Sequence, residues 1–252
     1  MTKRRTANSV AVFLAVWCLG ACGSSRNSAE DSPTGPSGIS PMQDEPPLLL
    51  KSIGINLGIY DPTTGMAGDF RFTRNRLQQN LLWMDYGYII PGGNNGADKA
   101  NPQPTFILPM GTKVQSLVDG VVVDVIELYS HDYSIHVAIN SQSPWRYETE
   151  HIRNPLVRAG DRVTAGQVIA EVSEWSSESN DGLGMVEIGI LRGGNPPHHV
   201  CPFQYLDPSV RNQVQDRIRQ LYAAWEAFKG DTKLYDEASM PMTGCQTLAV
   251  VD

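Results

Sequence analysis

Basic residues are scarce in this chain. Its 252 residues hold 20 Lys and Arg against 27 Asp and Glu, a formal charge of −7. An acidic globule has no electrostatic footprint for a phosphate backbone or an anionic lipid surface, which excludes nucleic acid as a partner. No lysine occurs between Lys113 and Lys229, so the central region has no attachment point for a biotinyl or lipoyl group. A Gly-x-Ser-x-Gly elbow is missing, which argues against a serine hydrolase. Gly92, Gly93 and Gly96 lack the lysine and the following helix of a phosphate-cradling loop. Sustained heptads are absent too, so no long coiled coil interrupts the chain. The apolar run over residues 10–17 is too short to span a bilayer.

That run has a different use. It follows Lys3-Arg4-Arg5 and precedes Leu19-Gly20-Ala21-Cys22, the order of a secretory signal. The Leu-Gly-Ala-Cys ending resembles a bacterial lipobox, where cleavage precedes the cysteine and its thiol is acylated. Residues 1–21 are therefore expected to be a lipoprotein signal peptide, with Cys22 as the lipidation site. Residues 22–50, rich in Ser, Gly, Pro and acids, are expected to be a disordered tether. Removing the signal takes away three positive charges and no acids, leaving −10 from −7, so attachment to the membrane falls to the acyl chains alone. Localisation follows as the cell envelope, at the outer membrane facing the periplasm or the surface if the host is Gram-negative.

Of four cysteines, Cys18 leaves with the signal and Cys22 is acylated. Cys201 and Cys245 remain, and in an oxidising compartment they are expected to form a disulfide. Closing that loop is worth about 3–4 kcal/mol on the chain-entropy model.

Two stretches share one template: Gly111-Thr-Lys-Val114 followed by Gly120-Val-Val122, and Gly160-Asp-Arg-Val163 followed by Gly166-Gln-Val168. Each reads as a turn, a short apolar strand, a glycine corner and a second valine-rich strand, the mark of a small sheet built from two related halves. Strand character recurs over residues 114–118, 121–128, 134–140, 145–151, 168–172 and 185–191. Upstream, residues 52–60 and 69–73 read as a hairpin, 74–83 as a short helix, and 92–96 as loop. Downstream, Val210, Val214, Ile218, Leu221, Trp225 and Phe228 recur at helical spacing. Asp207 caps that helix, Pro208 opens it and Gly230 ends it.

The run Pro109-x-Gly111-x-x-Val114-x-Ser116-Leu117-x-Asp119-Gly120-x-Val122-Val123 resembles the lysostaphin/LytM-type zinc peptidases, which cut peptidoglycan cross-bridges. Tyr147-x-x-x-His151 followed by Ala159-Gly160-Asp161-x-Val163-x-Ala165-Gly166-Gln167-x-Ile169-Ala170 resembles them too. The resemblance covers residues 101–191. It implies a mainly β fold, a β-sandwich of the duplicated hybrid motif with a groove, here followed by a C-terminal amphipathic helix. The expected divisions are an extension over 51–100, the peptidase-like sandwich over 101–206, and a helix with a disulfide-pinned tail over 207–252.

In that family zinc is held by a His-x-x-x-Asp pair and the second histidine of a His-x-His strand. Counting from Pro109 and Gly111 places the first two positions at Asn101 and Thr105, and the last strand places Met185 and Glu187 where the two histidines would stand. Zinc needs neutral imidazole or anionic ligands, so the resemblance supports the fold and argues against the activity. His151 is the one family-like catalytic position kept, with Asn101, Thr105, Tyr147, Met185 and Glu187 lining the groove. No metal and no cofactor is expected. All five histidines lie between residues 131 and 199. One alternative is an active metallopeptidase with zinc ligands rebuilt from Glu187, His151 and His198 or His199. Against it, His198-His199 reads as a solvated surface loop, and on a regular strand His151 faces away from Glu148 and Glu150. The leading expectation is a lipid-anchored, non-catalytic relative that binds peptidoglycan or a cell-wall hydrolase.

Overall fold

The computed structural model describes residues 45–174 and 181–252. The signal peptide, Cys22 and most of the expected tether lie outside the described residues. Along them run β1 (Tyr60–Asp61), β2 (Met66–Ala67), β3 (Phe70–Arg71), β4 (Trp83–Met84), β5 (Ile89–Asn94) and β6 (Ala97–Ala100). The main body contains β7 (Thr105–Pro109), β8 (Lys113–Gln115), β9 (Gly120–Glu127), β10 (Tyr133–Ala138) and β11 (Trp145–Arg153). It continues through β12 (Arg162–Val163), β13 (Val168–Glu174), β14 (Leu183–Arg192) and β15 (His198–Val200) to the helix α1 (Pro208–Lys229). The fold is mainly β: a ten-stranded antiparallel sheet with one C-terminal helix.

The two halves of the repeat exchange strands. β8, which follows Gly111, pairs with β13 of the second half, while β12, which follows Gly160, pairs with β9 of the first. The turns match bond for bond. Gly111 N–H donates to Val172 O at 3.1 Å and Gly160 N–H to Val122 O at 2.8 Å. Both glycines sit in the left-handed region, at φ 82° and 95°, where a β-carbon is strained. The valines that alternate along these strands point inward: Val114, Val122 and Val172 are fully buried and Val163 nearly so. The repeat is thus a reciprocal pair of strand exchanges, each half completing the other's sheet.

β14 is the spine of the sheet. Its Val186, Ile188 and Ile190 are all fully buried, the apolar face expected from period-two alternation. One edge pairs with β7 and β15, the other with β11 and β13. Burying each such side chain contributes about 1.5–3 kcal/mol.

Several expectations upstream are corrected. The segment 74–83 is not a helix. It holds a 3-10 turn over Gln78–Asn80 and then β4, with Asn80 at φ 59°. Leu77, Leu81, Leu82 and Trp83 are buried on all sides, and a consecutive apolar run suits that enclosure better than one helix face. The expected 52–60 and 69–73 hairpin is instead the three-stranded β1–β2–β3 sheet, with residues 52–59 irregular. The expected loop over 92–96 closes a β5–β6 hairpin, because Asn95 and Gly96 both adopt positive φ, 48° and 94°, as a primed turn requires. The tether does not reach residue 50. Leu50 is fully buried, and the Leu48 backbone bonds Tyr147, its N–H at 2.6 Å and its carbonyl at 2.7 Å from the phenol oxygen.

The helix agrees with its sequence signals. Asp207 accepts from Ser209 N–H at 2.9 Å, Pro208 is the first helical residue, and Gly230 ends the helix at φ 72°. Ile218, Leu221, Tyr222 and Trp225 form its buried side. Tyr222 stacks on Tyr235 at 3.9 Å and lies edge-on to Trp83 of β4 at 6.2 Å. Its hydroxyl donates to Asp85, whose other oxygen accepts from Gln246 at 3.0 Å. Burial raises the Asp85 carboxyl to about 6 against these bonds.

Cys201 and Cys245 form the expected disulfide, with Cα atoms 6.2 Å apart and a separation of 44 residues. Replacing both by alanine should lower the unfolding free energy by about 3–4 kcal/mol, read from urea transitions. An unchanged midpoint would show that the bridge restrains nothing.

Candidate functional site

The polar face of the sheet gathers the candidate residues. Alternation along β14 sends Met185, Glu187 and Gly189 to the face opposite the buried Val186, Ile188 and Ile190. Register then brings neighbours to Glu187 from both sides: Thr105 of β7 on one edge and Glu150 of β11 on the other. Asn101 reaches the same point from the chain entering β7. Its Nδ2 lies 3.2 Å from Thr105 Oγ1 and 3.2 Å from the Asp85 carbonyl, and Thr105 Oγ1 donates to Glu187 Oε1 at 2.9 Å. The three positions assigned to zinc ligands therefore do meet, but as an amide, a hydroxyl and a carboxylate that satisfy one another.

Zinc does not fit this donor set. Thr105 is neutral and spends its proton on Glu187, and the Asn101 amide nitrogen is committed as a donor. Glu187 is the single anionic group of the three, and its carboxyl is itself raised by burial, against the charge of His151 and the Thr105 bond. Nor is the rebuilt set of Glu187, His151 and His198 or His199 assembled: among the described residues no three of His, Cys, Asp and Glu are arranged to hold a metal ion.

His151 departs from its expected place. Tyr133 pairs with Ile152 and Ile135 with Thr149, so β11 carries one extra residue opposite Ser134. That bulge holds His151 at φ 58° and breaks the alternation. Thr149 and Ile152 face the core while His151 joins the polar side. There Nδ1 lies 2.9 Å from Asp132 Oδ2, a carboxylate with 3% exposure. Burial alone would lower its pKa. The charges of Glu187 and Glu150 and the Asp132 bond outweigh it, and the imidazole is raised.

Tyr147 is also corrected: it faces the core at 1% exposure and lines no groove. Met185 lies partly buried beside Glu187 on the polar face, opposite Ile107. His198 and His199 are not a solvated loop but part of β15. His198 pairs with Asp252 at 2.6 Å, and His199 is 6% exposed, with burial holding its pKa down.

Sequence reasoning missed the second half of the cluster. His136 stands opposite Glu148 in the β10–β11 ladder. Glu148 receives His136 Nε2 at 2.8 Å, Gln103 Nε2 at 3.0 Å and the Ser134 hydroxyl. Burial works to raise this carboxyl, but the bond to and charge of His136 win, and its pKa is lowered. Gly189 leaves room for Gln103: a β-carbon there would meet its Nε2 at 2.9 Å. Glu150 has no such set of donors. Burial, then the charges of Glu148 and Glu187, push it to about 7. The pairing of His136 with Glu148 was open to inspection once β10 and β11 were set as a hairpin; the bulge at His151 left no sequence signal.

Residues 104–195 match the model of Peptidase family M23, a little over a third of the chain, and this segment is a domain of that family. No curated protein matches the chain. Among solved structures, the chain is similar to lysostaphin from Staphylococcus simulans, an antimicrobial peptidase, at 21% identity over 44% of this chain and 43% of that one, with a TM-score of 0.36. A mutant catalytic domain of the prophage-encoded M23 protein EnpA from Enterococcus faecalis is similar at 20% identity over 41% of this chain and 77% of that one, TM-score 0.34. A chain of the SpoIIQ–SpoIIIAH pore-forming complex is similar at 14% identity over 66% of this chain and 92% of that one, TM-score 0.36. The chain spans less than half the length of two of the lysostaphin structures it matches.

The charge state of Glu150 sets a pH dependence. The folded chain keeps its proton up to about pH 7, whereas an ordinary glutamate releases it near 4.5. Across that window the folded state binds more protons, so stability falls as pH rises. Glu150→Gln should remove a fall on the order of 3 kcal/mol between those limits, measured by urea unfolding at several pH values. Parallel curves for variant and wild type would exclude Glu150 as its source.

Proposed function

We propose that this is an exported, lipid-anchored cell-envelope protein whose M23 domain is non-catalytic and binds cell-wall material or a partner protein through its polar groove. The observation that carries this reading is the hydrogen-bonded Asn101–Thr105–Glu187 chain at the positions assigned to the zinc ligands. A metallopeptidase of this type needs an open coordination site on a metal-bound water, and these side chains have replaced metal contacts with contacts to each other. A disulfide between Cys201 and Cys245 is in keeping with an extracytoplasmic compartment. No helix among the described residues is long and apolar enough to cross a membrane, and Cys22 supplies the anchor in this reading. The partner class is peptidoglycan or a hydrolase that acts on it.

Two experiments test the proposal. Metal analysis of the purified full chain should find no stoichiometric zinc, and the triple substitution Asn101→His, Thr105→Asp and Glu187→His should introduce about one zinc per chain. One zinc per wild-type chain, lost on chelation together with wall hydrolysis, would falsify the non-catalytic reading. Growth with a labelled fatty acid should label the wild type and leave Cys22→Ala unlabelled; equal labelling of both removes the anchor at Cys22.

A further inference from the structure

Away from the polar groove, a cleft of about 260 Å³ opens between the segment leading into β1 and the helix α1. Its floor is aliphatic, with Ile53 on one side and Val214 of α1 on the other; Gln115 of β8 and Asn56 stand at its polar margin. Two cations line it, Lys51 and Arg217, and no acid does. In a chain of net charge −7 these lining cations are set apart by their own partners. The two cations are not equivalent. Lys51 is held by Asp119 at 2.7 Å. Arg217 donates to Gln220 at 2.8 Å, a neutral amide, and forms no ion pair with a carboxylate among the described residues.

We propose that this cleft binds the terminal carboxylate of a short peptide or acylated amino acid with an apolar last residue. Arg217 presents a planar fork of donors that matches a carboxylate in two parallel hydrogen bonds. The aliphatic floor beside it takes the side chain, and the carboxamides of Asn56 and Gln115 meet the peptide group. Gln115 Nε2 and Asn56 Oδ1 approach each other at 3.4 Å, a long contact that a ligand amide can replace, while Asn56 Nδ2 is held by Asp69 at 3.2 Å and Gln115 Oε1 accepts from Ser52 at 3.4 Å. A phosphate compound fits less well, since a phosphate carries more charge than one unpaired guanidinium offsets and brings no apolar part to the floor. The volume suits a ligand of one to two residues, and a second cleft along α1 shares Gln213 and Arg217, reaches the exposed Ile59 and includes Asp216, which pairs with Arg219. The residues that precede the last one therefore have room to continue along α1. Most of the lining comes from residues 51–57 and α1, outside the matched M23 segment, while Gln115 and Gly166 within it complete the cleft.

The test uses the full chain in detergent, with N-acetyl-alanyl-leucine and its C-terminal amide as probes, followed by calorimetry and by amide chemical shifts. The acid should bind with shifts centred on residues 51–57 and α1, and the amide at least tenfold more weakly. Arg217→Gln should weaken the acid at least tenfold and leave the amide unchanged, while Arg158→Gln, at an exposed turn, should change neither. Equal affinity for acid and amide, binding outside these segments, or no binding at millimolar probe would overturn the proposal. The acid–amide comparison is made on the wild type, so it decides the matter even if the Arg217 variant folds poorly. Zinc content and wall hydrolysis are separate readouts, so this assignment and the non-catalytic reading stand or fall independently.

Discussion

The double pairing of β14 is the constraint from which the site follows. A strand hydrogen-bonded on both edges cannot slip by one residue without turning Val186, Ile188 and Ile190 out of the core. With that register locked, Glu187 has Thr105 on one side and Glu150 on the other, and nothing about the groove's chemistry is free to vary independently. The reciprocal exchange of β8 and β12 between the repeat halves supports the same sheet from its far ends.

Carboxylates gathered on the polar side of such a sheet face two costs, desolvation and mutual repulsion. The chain meets them unevenly. Glu148 is stabilised as an anion by His136, Gln103 and Ser134, and Asp132 is paired with His151. Glu150 and Glu187 take the opposite course and are shifted toward the neutral form. A bound divalent cation would offset the same repulsion, but three close ligands of suitable type are not assembled among the described residues. Among the described residues, hydrogen bonds and proton uptake offset this repulsion.

The parts outside the M23 segment are joined to the groove rather than appended to it. Asn101 bonds the Asp85 carbonyl; the Asp85 carboxyl is gripped by Tyr222 of α1 and by Gln246, which follows the bridged Cys245. Helix, disulfide-bonded tail and the first of the would-be ligand positions thus form one run of buried contacts. The same helix, on its outer side, forms the wall of the Arg217 cleft.

Local chemistry alone determined the strand-rich middle, the repeat, the capped helix and the pairing of Cys201 with Cys245. Valine alternation, turn glycines and capping residues act over a few neighbours, and with Cys18 and Cys22 assigned to the signal and the lipid, two cysteines are left to pair. The residues that stand where zinc ligands would were assigned by the resemblance to zinc peptidases, whose pattern is counted along the chain. What surrounds them was decided in three dimensions. The bulge that turns His151 toward Glu187, the burial of His199 in β15 and of Tyr147 against Leu48, and the enclosure of residues 77–83 all depend on strands distant in sequence. A β-strand's alternation is legible only while its pairing is regular, and one extra residue on β11, set by its partner β10, reverses the side on which a histidine emerges.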